Sequence, residues 1–295
     1  MASGIIGCGG DDDKGGADAG STFKGYGANE GGEFRAEYVT FADGTIGTRV
    51  VSFFYADPGP TKYFPFPAIP GCTDMTGLKN WPMATNPVAE RTYLDPGTIT
   101  MSGGAKTLTV PRQTAEGVDF LNRTHSANNW FFYFNPTDGA DYVKAQTLQS
   151  VAITGSDKFP AQTFTDVLYT PAAFQLNAPG LGPVAVPAGM DQTFTWGTPD
   201  SMAGSMPPAG FTIMSLLAFS GDQGPAVLCV EPNDGSITVP AAMVDIARAK
   251  YPQGGTLARQ TFAHNPIQMK DSTGLTDRRI DFISTWCFAT SWTAP

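Results

Sequence analysis

Charge is scarce in this 295-residue chain: 15% of its residues are Asp, Glu, Lys or Arg, and acidic residues outnumber basic ones by 27 to 18. A net charge of −9, with no local basic cluster, repels a phosphate backbone, so no nucleic-acid partner is expected. No apolar run reaches the roughly 18 to 20 residues that a membrane-spanning helix requires. The regular apolar stripes of a membrane β-barrel are missing too, because the strand candidates are too irregular. Four cysteines, at positions 8, 72, 229 and 287, include no C-x-x-C pair, which leaves a zinc ribbon or a thioredoxin-like site unsupported. There is no G-x-S-x-G elbow to expose a serine nucleophile. No catalytic residue and no cofactor is expected from these patterns.

What the chain does have is turn-formers and aromatics. There are 34 Gly and 24 Pro, 12% of residues are aromatic, and 41% are hydrophobic, enough to bury a core. Between Asp191 and Pro240 three β-rich runs, Thr193 to Trp196, Phe211 to Phe219 and Ala226 to Val230, alternate with Gly, Pro, Asn and Asp turns. Similar short runs begin at Phe34, Thr48, Tyr93, Leu108, Trp130, Thr147 and Phe164. Later ones are Ser236 to Val239, Gly255 to Ala263 and Ile280 to Trp292. The one helical pattern is Pro240 to Tyr251, opened by a proline and stopped by Pro252 and Gly254. This spacing predicts an all-β fold of two antiparallel β-sandwich domains, Ig-like or jelly-roll-like, over residues 33–172 and 173–295.

Residues 1–32 read differently. Ile5-Ile6-Gly7-Cys8 resembles the end of a bacterial lipobox, and the Gly/Asp/Ala tract behind it has too little apolar content to pack. Lipidation of Cys8, with the upstream signal segment lying elsewhere, is the expectation; a coincidental cysteine in an unstructured tail is the alternative. A lipidated Cys8 implies an extracellular or outer-envelope location, with the outer membrane reached only through the anchor.

Three stretches carry a likeness to known proteins: Leu94-Asp95-Pro96-Gly97-Thr98-Ile99-Thr100, the runs through Phe194-Thr195-Trp196 and Val227-Leu228-Cys229-Val230, and Gly235 to Ala242. Together with a late strand holding Trp286-Cys287, they resemble secreted surface lipoproteins of the myxobacterial type with tandem β-sandwich domains, over about residues 90–295. The resemblance implies a secreted two-part architecture and brings no catalytic activity with it. Members of that kind often carry a close cysteine pair near the position of Cys72, where this chain has one cysteine.

The cysteine assignment that suits an exported protein is Cys8 lipidated, Cys229 bridged to Cys287, and Cys72 left over. Two alternatives remain: Cys229 and Cys287 as buried free thiols, or a Cys8–Cys72 bridge if Cys8 carries no lipid. His125 and His264 sit among polar residues without a partner at ligand or relay spacing, which predicts surface positions. Asn135, Asp138 and Asp141 surround a glycine turn and could offer oxygens to Ca²⁺, but the closing Glu of a calcium loop is absent and an Asx-type turn suits them better. Tyr63, Phe64 and Phe66 lie between prolines, and Trp130 to Phe134 is an unbroken aromatic run. Strand alternation sends about half of that run outward; Trp130 and Tyr133, one from each face, join the loop rings as candidate contacts to a glycan or a protein partner. The opposing reading is a core that buries both faces. The functional expectation is a non-enzymatic surface protein for adhesion, binding or self-assembly, its partners being other surface proteins, glycans or copies of itself. A carbohydrate-binding module or an exported glycan-active hydrolase is the alternative.

Overall fold

A computed structural model describes residues 30–41, 44–56, 71–76, 92–115, 117–118, 124–125, 130–142, 145–157, 159–171, 176–178, 183–197, 209–222, 224–269 and 278–295. The chain is predominantly β. Its first strands are β1 (Glu30–Thr40), β2 (Ile46–Ala56), β3 (Gly71–Asp74), β4 (Thr92–Leu94), β5 (Ile99–Ser102) and β6 (Leu108–Val110). A short pair, β7 (Gly117–Val118) and β8 (Thr124–His125), precedes β9 (Trp130–Asn135) and a one-turn helix α1 (Gly139–Tyr142). Then come β10 (Leu148–Ile153), β11 (Gln162–Tyr169), β12 (Leu176–Ala178), β13 (Val184–Ala185) and β14 (Gln192–Trp196). Last are β15 (Thr212–Gly221), β16 (Gly224–Pro232), β17 (Ser236–Val239), α2 (Ala241–Lys250), β18 (Gly255–Met269) and β19 (Arg278–Thr293).

Among the described residues, ten strands form one large sheet in the order β3-β16-β15-β18-β19-β1-β2-β4, with β9 beside β2 and β13 beside the end of β19. Its centre is the pairing of β1 with β19, parallel and in unbroken register from Glu30↔Arg278 to Thr40↔Phe288. The sheet and one continuous hydrophobic cluster therefore run across the expected boundary at residues 172 and 173.

Alternation explains how the strands sit. On β1, Phe34, Ala36 and Tyr38 point to one face with Phe282 and Trp286 of β19 beside them, while Glu33, Arg35 and Glu37 point to the other. The apolar face is covered by two smaller sheets. β11-β10-β5-β6 lies over the β1–β2–β19 half: Phe164 meets Phe282 with ring centroids 5.0 Å apart, and the Tyr38 hydroxyl donates to Gln149 Oε1 at 2.8 Å. β12-β14-β17 covers the other half, where Phe194 meets Phe219 at 6.0 Å. Helix α2 joins that layer and buries Val244 and Ala247. Its first N–H donates to Asp191 Oδ1 at 2.8 Å, so a side chain from the start of β14 satisfies a donor the helix cannot satisfy itself. Gly254, with φ of 93°, turns the chain from α2 into β18, and a Cβ there would run into the Trp292 carbonyl.

Phe282 is fully buried between Phe34 and Phe164, one from each layer. Phe282→Ala should lower unfolding free energy by about 3–5 kcal/mol. Chemical denaturation monitored by tryptophan fluorescence measures this, and a loss near zero would mean that the two layers do not share one core.

Candidate functional site

The second face of the large sheet holds a group of buried charges. Register places Glu37 of β1 opposite Arg49 of β2, Val39 opposite Cys287, and Cys287 opposite Gln260 of β18. Glu37 is 1% and Arg35 2% exposed. Arg49 Nε donates to Glu37 Oε2 at 2.8 Å and Arg49 Nη2 donates to the same oxygen, while Arg35 Nη2 lies 2.9 Å from Glu33 Oε1. One row further along, His264 Nε2 and Asp281 Oδ1 are 2.7 Å apart. These residues make a polar seam across four strands. It is flanked by Leu216, Leu228, Val230 and Phe262 on one side and by Val51, Phe53, Tyr93 and Trp130 on the other.

The seam's chemistry is conservative. Burial pushes the Cys287 thiol up to about 12, with Glu37 adding to the effect, so Cys287 stays protonated and is a poor nucleophile at neutral pH. Two of the ion pairs, Glu37–Arg49 and Glu33–Arg35, consume each other's charge. Glu37 Oε1 is buried without a hydrogen-bond partner among the described residues. Removing one member of the Glu37–Arg49 pair would strand a buried charge, at a cost of about 3–5 kcal/mol. A second polar group sits on the opposite face, where the Arg259 guanidinium stacks 3.7 Å from the Trp196 ring centroid. Arg259 also donates to Ser215 Oγ at 3.1 Å, and Ser215 and Trp196 both donate to Asn233 Oδ1. Among the described residues no group of three or more His, Cys, Asp or Glu is placed to hold a metal ion, and no helix is long and apolar enough to cross a membrane.

The disulfide differs from the expected one. Cys72 pairs with Cys229, and Cys287 is free and buried. The expected Cys229–Cys287 bridge fails on geometry. Cys229 on β16 and Cys287 on β19 are separated by β15 and β18, roughly 14 Å at the usual strand spacing, and their side chains leave opposite faces of the sheet. Residues 71–74 form the edge strand β3, whose register puts Cys72 directly beside Cys229. Glycine and proline around Cys72 hid a strand too short to show alternation.

The other expected positions fall as follows. Cys8, Tyr63, Phe64 and Phe66 lie outside the described residues. Trp130 is 6% exposed and packs with Val51 and Phe53, so it is core and not a contact ring. Tyr133 is half-buried and its hydroxyl donates to Asp138 Oδ2. Burial and that carboxylate raise the Tyr133 pKa. Phe134, 49% exposed, is the ring of this run that reaches solvent. The calcium candidates are occupied by local partners: Asn135 Oδ1 accepts from the Thr137 N–H at 3.0 Å in an Asx turn, and Asp141 Oδ2 accepts from Lys106 Nζ at 2.7 Å. His264 is not the lone surface residue expected but a member of the seam, and its partner Asp281 is 17 residues away on the adjacent strand. Strand pairing, invisible in linear spacing, brings them together.

No protein-family model matches the chain, and no curated protein matches it.

Two measurements check this geometry. Peptide mapping under non-reducing conditions should recover a Cys72–Cys229 cross-linked pair, and native protein should leave Cys287 unmodified by a thiol reagent that labels it after denaturation. With a sequence separation of 157 between its cysteines, the bridge should contribute about 5 kcal/mol on the chain-entropy model, so Cys72→Ser with Cys229→Ser loses about that much. The pH dependence has a definite sign. Cys287 is raised from 9.0, and Tyr38 from 10.0, each to about 12, with burial the first cause for both. A folded pKa above the unfolded one favours folding fully below the unfolded value and loses that favour as pH rises through the folded value. Stability should therefore fall between about pH 9 and pH 12. Tyr38→Phe should flatten the upper part of that fall in alkaline denaturation curves.

Proposed function

We propose that the protein is a non-enzymatic extracellular or cell-surface protein for adhesion, binding or self-assembly, held out from the envelope by its lipidated amino-terminal segment. Its two sandwich-like halves, residues 33–172 and 173–295, share one sheet. The observation that carries this reading is the Cys72–Cys229 bridge, which fastens a four-residue edge strand to the large sheet. Bridges persist where the surroundings are oxidising, which is outside the cytosol. The lipobox-like Ile5 to Cys8 and the resemblance to myxobacterial-type surface lipoproteins add support from the sequence. The pairing of seam charges with each other, and the protonated state of Cys287, agree with a structural use of those groups.

A second reading, glycan binding, has one observation in its favour: the Phe134 ring stands exposed at the end of an aromatic strand, next to a partly covered Phe132. An aromatic face of that kind can stack on sugar rings. Pull-down on insoluble polysaccharides separates the two readings. Retention that Phe134→Ala abolishes without shifting the thermal midpoint identifies a glycan binder. With no retention, a native mass above that of one 31.2 kDa chain, or filaments or layers in electron micrographs, supports assembly. Cys8→Ala should move the protein from the detergent-rich to the aqueous phase in a partition assay; unchanged partitioning would remove the lipid anchor from this picture.

A further inference from the structure

We propose that β1 and β19 form a mechanical clamp that resists tension entering at the amino-terminal end of β1 and leaving at the carboxyl-terminal end of β19. The inference deepens the reading of a tethered surface protein and rests on it for its biological use. The clamp itself is a property of the fold.

The argument is geometric. The two strands are parallel, so Glu30, where tension reaches β1, and Thr293, where it leaves β19, lie at opposite ends of the shared ladder. Pulling these ends apart drives the strands past each other along their own axes. All eleven register pairs from Glu30↔Arg278 to Thr40↔Phe288 then carry the load together. Were the same two strands antiparallel, both load points would sit at one end and the bonds would open one after another.

Neighbouring structure strengthens the clamp. β1 is held on its other side by eleven further pairs to β2, and β19 by fifteen to β18, so neither strand can slide alone. Side chains interlock across the joint: the Tyr38 and Trp286 rings have centroids 6.0 Å apart, and Trp286 Nε1 donates to Thr40 Oγ1 at 2.9 Å. Both faces are dry, with Phe34, Ala36 and Tyr38 fully buried on one and Arg35 and Glu37 nearly so on the other. Water is therefore not at hand to replace backbone hydrogen bonds as they stretch.

Single-molecule pulling on the full chain tests this with one fold and two directions. In the first, handles sit on tags at the two chain ends. In the second, one handle is at the amino-terminal tag and the other at Met269→Cys, in a background carrying Cys8→Ser. Met269 pairs with Arg278 at the same end of the sheet as Glu30, so this direction peels the strands apart. Buried Cys287 stays out of the labelling reaction. End-to-end pulling should need a severalfold higher force at equal loading rate, and should release the chain outside the Cys72–Cys229 loop in a single step. Equal forces in the two directions, or an early low-force step that frees β1 alone, would overturn the clamp. The Met269→Cys chain pulled between its end tags should reproduce the wild-type force, which separates a damaged fold from a missing clamp. Adhesion or assembly can fail its own tests while the force ratio stands, and the reverse holds as well.

Discussion

The parallel joining of β1 to β19 is the constraint on which the rest of the molecule depends. It places a strand from residues 30–40 and one from residues 278–293 side by side at the middle of the large sheet. Everything else is arranged about that line. The β2, β4 and β9 strands extend the sheet on one side and β18, β15, β16 and β3 on the other, while two small sheets and α2 cover its apolar face. Joined in this way, each of the two strands closes the other's edge, and one hydrophobic cluster runs across the joint. Sheet edges left open in either half would be sites for unwanted pairing.

The sheet's second face shows how a polar group becomes structural. Glu33, Arg35 and Glu37 alternate with Phe34, Ala36 and Tyr38, a pattern that ordinarily marks a strand with one wet face. Here the polar set is buried as well, and it survives because register supplies a cation or a hydrogen-bonding neighbour to most of its members. Buried pairs of this type add little net stability compared with apolar side chains of the same size. They do penalise any slip in register, because a one-residue shift would leave every charge facing hydrocarbon.

Much of the secondary structure was legible in the sequence. The runs at Phe34, Thr48, Leu108, Trp130, Phe164, Thr193, Phe211, Ala226, Ser236, Gly255 and Ile280 each overlap a strand, and the Pro240 to Tyr251 pattern contains α2. These succeeded because alternation, flanking turn residues and a helix-opening proline are local signals. Pairings were not legible, since they join residues far apart in the chain. Cys72 beside Cys229, His264 beside Asp281, and Glu37 beside Arg49 depend on which strands are neighbours, and a single chain's linear pattern does not state that. The aromatic run was half readable: alternation was correct, but the burial of Trp130 followed from a covered second face that no local pattern shows.

The place of β1 also bears on how the molecule comes to exist. Its hydrogen-bonding partner β19 comes after every other strand named here, so one edge of β1 stays vacant until β19 has been made. Contacts of such long sequence separation form slowly, and the apolar strands in between wait without their cover. A polypeptide with this wiring completes its core only in one late step, and until then its open strand edges are sites for pairing with other chains.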